Sequence, residues 1–276
     1  MIITCNLMGG LGNQLFQIMT LIYFAENEKI DYILLKKEYL QSNNKETKRK
    51  TYWDSMFKEL KDKTRETIYF FNQEYLREKS FNYKKIEIER NYCDKILYGY
   101  YQSYKYFDKQ FVLKKLNIVN KRQNVLMKCG KNVVMSNKTA IHFRFGDYKL
   151  LKNIYSILDE KYYIECIKKI NNTKHFYYFY DKNDKEDVED IISDLEYRFI
   201  DFEFIDGTEF NLEDWEECLL MSCFKNIIIA NSTFSWWSGY LNTILGHKIY
   251  YPINWFADKK KDCSDLFLPE WIGINN

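Results

Sequence analysis

From about Lys138 onward the chain alternates short apolar runs with longer amphipathic stretches, and this rhythm restricts the fold more than any other feature. The runs Thr139 to Phe145, Phe176 to Tyr180, Phe202 to Ile205, Asn226 to Ala230 and Lys248 to Tyr251 are rich in β-branched and aromatic residues and read as strands. Helical stretches fall between them, near Glu160 to Ile170, Lys185 to Leu195, Leu212 to Cys223 and Thr233 to Leu245, the last stopped by Gly246. Strands that alternate with helices build a parallel sheet covered on both faces. The chain also opens this way. A strand from Ile2 to Asn6 leads through a glycine-rich turn into a helix from Asn13 to Glu26, where Leu15, Ile18, Met19 and Ile22 keep helical spacing; a strand Tyr32 to Leu35 follows. The expectation is an α/β protein of two Rossmann-like domains with parallel sheets facing across a cleft. A boundary near 120–135 divides it into an N-terminal domain 1–130 and a C-terminal domain 131–276. Residues 41 to 115 are polar and aromatic and give no assignment.

Composition narrows the function classes. Of 276 residues, 46% are hydrophobic and 29% charged, so a packed core is expected rather than disorder. Basic and acidic residues number 41 and 39 and are interspersed, without the clustered positive field of a nucleic-acid binder. The densest basic run, Lys45 to Lys50, reads as a solvated loop. The seven cysteines are odd in number and form no CxxC pair, so neither a zinc ribbon nor a disulfide framework is indicated. Cys5, Cys166 and Cys218 lie in apolar segments and read as buried thiols. Nothing at the N-terminus resembles a secretion signal, and apolar runs such as Ile227 to Ala230 fall far short of the roughly 20 residues of a membrane span. A cytoplasmic protein without a transmembrane segment is expected, with peripheral association at the inner face of the membrane, through membrane-linked glycans, left open. The three histidines, at 142, 175 and 247, are not paired at ligand spacing. The acidic run Asp181 to Asp190 lacks the glycine and alternation of a calcium loop, and no Asp-x-Asp triplet is present. The run reads as a solvated helix start, and no metal or cofactor is expected.

Four segments carry chemistry. In Gly9-Gly10-Leu11-Gly12-Asn13-Gln14, glycines between strand and helix let a ligand approach backbone, and the two amides can orient a sugar. The third position of a dinucleotide fingerprint holds Leu15, so a plain tight turn fits as well. In His142-Phe143-Arg144-Phe145-Gly146-Asp147-Tyr148, strand alternation sends Phe143 and Phe145 one way with Ile141, and His142 and Arg144 the other. Asp147 then stands at the carboxyl edge of the strand, where open α/β sheets bind ligands. Arg144 suits a diphosphate clamp because its planar fork binds phosphate oxygens and keeps its charge; an Arg144–Asp147 ion pair closing the turn is the alternative. In Asn231-Ser232-Thr233-Phe234-Ser235, a buried strand ends in helix-capping residues; phosphate contact through Ser232 to Ser235 is the reading preferred over an ordinary cap, with Trp236 and Trp237 as core. Asp206, ending the strand Phe204-Ile205-Asp206-Gly207, can accept both N–H groups of a guanine edge or begin a turn; by pattern alone the turn fits better.

Taken in order, these segments resemble the inverting α-1,2-fucosyltransferase family of bacteria and animals. Gly9 to Gln17 is similar to its N-terminal signature, and Gly99-Tyr100-Tyr101-Gln102-Ser103 with Tyr106-Phe107 to its GYxQS-x-x-YF segment. His142 to Tyr148 is similar to HxRRGDY, and Asn231 to Trp237 reads NSTFSWW residue for residue. Pro252, Trp255-Phe256 and Leu268-Pro269-Glu270-Trp271 are similar to the closing motifs. The resemblance implies a GT-B-like arrangement and transfer of L-fucose from GDP-β-L-fucose to the 2-hydroxyl of a galactose-terminated glycan, with no metal. It implies that the C-terminal domain binds GDP-fucose through His142, Arg144, Asp206 and Asn231, Ser232, Thr233, Phe234 and Ser235. Gly10, Gly12, Asn13, Gln14 and Gln102 would then fall on the acceptor side. Arg144 would carry the charge released as GDP leaves. Asp147 is the candidate proton acceptor, with a structural role as the alternative, and Asn13 would orient the acceptor hydroxyl. Two departures stand out: the second arginine of HxRRGDY is Phe145 here, and the usual FSDD reads Phe179-Tyr180-Asp181-Lys182. Rival readings are a transferase for another GDP-linked deoxysugar or linkage, and a nucleotide-sugar-binding protein without turnover.

Overall fold

The computed structural model describes residues 1–41, 48–70, 72–130 and 135–276, without the side chains of Gln41 and Asp147. The chain divides into two compact units, Met1–Ile118 with Asp262–Leu268, and Val119–Lys261 with Pro269–Asn276.

In the first unit, β1 (Ile2–Cys5) runs into α1 (Leu11–Glu28) and β2 (Asp31–Tyr32). Leu15, Ile18, Met19 and Ile22 are all 0% exposed, so the stripe seen in the sequence is the buried face of α1. The helix ends where Lys29 takes a left-handed conformation. Three short pairing segments come next: β3 (Leu34–Leu35), β4 (Tyr39–Gln41) and β5 (Lys48–Lys50), the last two antiparallel to each other. The strand expected over Tyr32 to Leu35 is thus split, Tyr32 pairing with Ile3 and Leu34–Leu35 with β6 (Thr64–Arg65). The Lys45 to Lys50 run is not simply a loop: Lys48–Lys50 is β5, while 45–47 lies outside the described residues. Two further strands, β7 (Gln73–Arg77) and β8 (Asp94–Tyr98), complete a parallel sheet of order β2-β1-β8-β7, and α2 (Lys109–Lys115) follows. The charges of β7 and β8 hid them from the sequence reading. Lys95 is 0% exposed because its ammonium pairs with Glu74 of the neighbouring strand, and Asp94 Oδ1 accepts from Ile2 N at 2.7 Å.

In the second unit α3 (Ile118–Cys129), most of which belongs to it, precedes β9 (Thr139–His142), α4 (Glu160–Lys168), β10 (His175–Phe179), α5 (Lys185–Arg198) and β11 (Glu203–Asp206). Then come α6 (Asp214–Met221), β12 (Asn226–Ile228), α7 (Thr233–Leu241), β13 (Lys248–Pro252) and β14 (Ile272–Ile274). The sheet is parallel throughout, in the order β11-β10-β9-β12-β13-β14. The chain steps outward from β9 to β11, then returns to β12 on the other side of β9, which makes the β9/β12 boundary a topological switch point. Ile227, Ile228 and Ile229 are 0% exposed, as are Trp236 and Trp237, which pack as core. Cys5, Cys166 and Cys218 are buried as expected, and burial pushes the Cys5 and Cys218 thiols up to about 12.

Three boundaries depart from the sequence reading. The helix expected to reach Leu245 stops at Leu241, because Asn242 Oδ1 accepts from Ile244 N at 2.8 Å and its Nδ2 donates to Phe224 O at 2.7 Å. The three-residue β14, with Gly273 at its centre, was not anticipated. The units part at Ile118/Val119, and Asp262–Leu268 returns to the first unit through bonds from Ser103 Oγ to Asp265 O (2.6 Å) and Tyr83 N to Asp265 Oδ2 (3.0 Å). Among the described residues no helix is long and apolar enough to cross a membrane.

Ile227→Ala, in the middle of the second sheet, should lower unfolding free energy by about 2–5 kcal/mol in urea titration.

Candidate active site

Parallel pairing of Ile141 with Ile228 sets the carboxyl ends of β9 and β12 side by side. Beyond β9 the backbone stays extended for a residue, Phe143 N donating to Phe179 O at 2.9 Å, and the side chains keep alternating. Ile141, Phe143 and Phe145 enter one apolar cluster. Phe145, in place of the family's arginine, is 5% exposed and belongs to that core. His142 faces the other way, its ring 5.3 Å from that of Phe234 in the first turn of α7. Tyr148 Oη donates to Asn231 O at 2.9 Å, joining the two loops a second time. Arg144 is half-buried; its guanidinium lies 5.3 Å from the centre of the Tyr148 ring and against Gly146. Gly146 has φ +35°, a conformation that glycine adopts without strain, and a Cβ there would stand 3.4 Å from Arg144 Cζ. The Tyr148 ring is itself stacked on Tyr155, with centroids 4.1 Å apart and planes 7° from parallel.

Burial, and next the Arg144 charge, push the His142 pKa down to about 3, so the imidazole is neutral at ordinary pH. Its Nδ1 is buried and has no hydrogen-bond partner within the protein.

The polar residues of the α7 turn are used unequally. Asn231 Nδ2 donates to Ser156 O (2.7 Å) and Trp255 O (3.0 Å), bracing neighbouring loops. Ser232 Oγ accepts from Phe234 N at 3.3 Å, as an N-cap does. Ser235, 0% exposed, donates its hydroxyl to Ala230 O and Ser232 O at 3.3 Å each. The cap reading therefore describes these hydroxyls, Thr233 and Phe234 are partly exposed, and the turn meets the edge that bears His142 and Arg144. Asp147 lies in the turn Gly146–Lys149; its side chain is outside the described residues.

Asp184 was missed. The acidic run that contains it reads as a solvated helix start, yet Asp184 is 2% exposed and accepts from Phe145 N (3.1 Å) and Gly146 N (2.7 Å). It fixes the loop that carries Arg144. Four acidic residues at three-residue spacing, 181, 184, 187 and 190, offered nothing to single it out.

At the far side of β10, Asp206 caps the turn that follows β11. Its Oδ1 accepts from Thr208 N (2.8 Å) and Thr208 Oγ1 (2.7 Å), and its Oδ2 from Tyr180 Oη (2.8 Å). These residues line a cavity of about 360 Å³ with Lys182, Lys185 and Asn211. Burial, then the Asp206 contact, push the Tyr180 phenol up to about 12.

In the first unit the loops after β1 and β8 meet at neighbouring strand ends, where Gln102 Nε2 donates to Asn13 Oδ1 at 2.9 Å. Gly9 has φ +77°, and a Cβ there would collide with the Asn13 side chain. Gly10 caps α1, and Gly12 is buried in its first turn. Gln14 is 0% exposed and donates to Gly9 O (3.0 Å) and Lys50 O (2.9 Å), so its amide holds the turn. Among the described residues no three His, Cys, Asp or Glu side chains gather to hold a metal ion.

The family model described as glycosyl transferase family 11 matches residues 1–275. The chain belongs to that family. It is a glycosyltransferase of a fucosyltransferase-like kind. Similar proteins include the O-antigen biosynthesis glycosyltransferase WbnK of Escherichia coli, 26% identical over 97% of this chain and 99% of the relative. An α-1,2-colitosyltransferase of Escherichia coli is 29% identical over 64% of this chain and 61% of that protein. Among solved structures, a mutant of Arabidopsis thaliana FUT1 in complex with GDP is 12% identical with a TM-score of 0.47, covering 91% of this chain and 69% of that one.

Two measurements test this family 11 site. Asp184→Ala leaves two amides without their acceptor and should cost about 2–6 kcal/mol in urea unfolding, at about 1–3 kcal/mol for each. His142 binds its proton more weakly folded than unfolded, so its contribution to stability is complete above about pH 6.5 and is lost as pH falls toward 3. Between pH 6.5 and 4 this amounts to about 3 kcal/mol, and His142→Gln should flatten that part of the stability profile.

Proposed function

We propose that this glycosyltransferase moves L-fucose from GDP-β-L-fucose to the 2-hydroxyl of a galactose in a glycan, with inversion at fucose C1 and without a metal ion. The observation that carries the reading is that the loop bearing Arg144 meets the start of α7 at the β9/β12 switch point, through His142 against Phe234 and Tyr148 on Asn231 O, in a chain of family 11. A departing diphosphate needs preorganised positive potential. In this reading Arg144 supplies it together with the amide edge of the Ser232–Ser235 turn. Neutral His142 offers a ring N–H to a donor phosphate or ribose oxygen, and Asp206 takes the base. Asn231 and Ser235 act through the shape of the turn. Asp147 is the proposed proton acceptor from the sugar hydroxyl. Asn13, which Gln102 orients, is assigned to the acceptor, with Gly10, Gly12 and Gln14 shaping its loop. The second unit is thus taken as the donor unit and the first as the acceptor unit. A cytoplasmic location, with peripheral access to membrane-linked glycans, belongs to the same reading.

The name of the α-1,2-colitosyltransferase relative supports the linkage and favours one second reading, in which the donor is another GDP-linked deoxysugar. Mass spectrometry of products from a panel of galactose-terminated acceptors, with GDP-fucose and competing GDP-sugars, separates the two. Fucose added to the galactose 2-hydroxyl is the expected result; preference for another GDP-sugar would replace the donor assignment. Arg144→Ala should cut turnover roughly 10²–10³-fold without loss of fold. Asp147→Asn should also lose turnover, and near-normal rates in that variant would move the base elsewhere.

A further inference from the structure

Asp206 is the residue to which the proposed function gives the donor base, and its hydrogen bonds restrict what it can read. A carboxylate offers about four acceptor positions, two on each oxygen. Oδ1 already receives both the amide and the hydroxyl of Thr208, and Oδ2 receives the phenol of Tyr180. Two donors fill Oδ1. One position remains on Oδ2.

Reading guanine through both N1–H and the exocyclic amine, one of the two roles the sequence allows Asp206, requires one open position on each oxygen. We propose that Tyr180 and Thr208 are specificity-determining residues that limit Asp206 to a single hydrogen bond with the base, given to N1–H, so that the exocyclic amine of guanine goes unread. The inference rests on the donor reading above and adds a property of this chain. Tyr180 stands where the resembling family has the serine of FSDD, so the phenol that occupies Oδ2 is this chain's own. The cavity of about 360 Å³ beside these residues falls within the usual range of small-molecule sites. Glu209, also on its lining, is exposed to water, where one more hydrogen bond discriminates little between bases. Hypoxanthine keeps N1–H and lacks the amine, while adenine presents an acceptor at N1. The pocket should therefore accept GDP and IDP alike and refuse ADP.

Isothermal titration of the whole protein with GDP, IDP and ADP tests this directly. GDP and IDP should bind within about 3-fold of each other and ADP at least about 10-fold more weakly, since a hydrogen bond to a charged group is worth about an order of magnitude in affinity. Thr208→Val removes one donor from Oδ1 and opens the second position, so it should raise the preference for GDP over IDP to about 10-fold, a change of selectivity that loss of structure would not produce. GDP binding with IDP more than 10-fold weaker in the unaltered protein would overturn this inference and leave the donor reading standing. Failure of GDP itself to bind would overturn both.

Discussion

The parallel pairing of β9 with β12 is the contact on which the candidate site depends. Consecutive strands of this sheet step away from β9 in one direction and return on its other side, so two loops distant in sequence leave neighbouring strand ends. One brings the guanidinium of Arg144; the other becomes the first turn of α7. Neither alone is an anion site of consequence. Their adjacency follows from the order of the strands and from the right-handed crossovers that parallel strands require. The aliphatic residues of β12, all fully buried, lock that order.

Around this constraint the polar side chains divide into those already engaged and those still open. Asp184, Asn231, Ser235 and Gln14 have their principal hydrogen bonds within the protein, to backbone groups that loops would otherwise leave unpaired. Asn231 and Gln14 nevertheless each keep a buried side-chain oxygen without a hydrogen-bond partner, Oδ1 and Oε1, and three of the four sit in or beside motifs that suggest ligand contact. His142 retains a buried nitrogen without a partner, and burial keeps its ring neutral, which suits a hydrogen-bond donor to a phosphate or ribose oxygen rather than a second cation beside Arg144. Asp206 is intermediate, with most of its capacity taken by Tyr180 and Thr208.

Much of this was legible in the sequence. The 2-residue alternation through Ile141, Phe143 and Phe145 correctly separated the core face from the face of His142 and Arg144, and the 3.6-residue stripe of α1 was visible in four side chains. The capping pattern at Ser232 and the core role of the two tryptophans were legible as well. What could not be read depends on partners remote in sequence. Lys95 and Asp94 lie in a strand because Glu74 and the Ile2 amide compensate them, and Asp184 is buried because two amides nearly 40 residues away need an acceptor. Local periodicity holds no information on such pairings. The hydrogen bonding of Asp206 was hidden for the same reason, since its Tyr180 partner directly follows the adjacent strand β10 rather than lying nearby in the chain.

The central claim is that the β9/β12 edge holds the terminal phosphate of the donor through Arg144. Calorimetric titration of GDP and GMP into the native protein and Arg144→Ala tests it most directly, because the two ligands differ only in that phosphate. The account predicts that the substitution weakens GDP by about 10-fold or more while leaving GMP nearly unchanged. Equal losses for both nucleotides, or none for either, would contradict it.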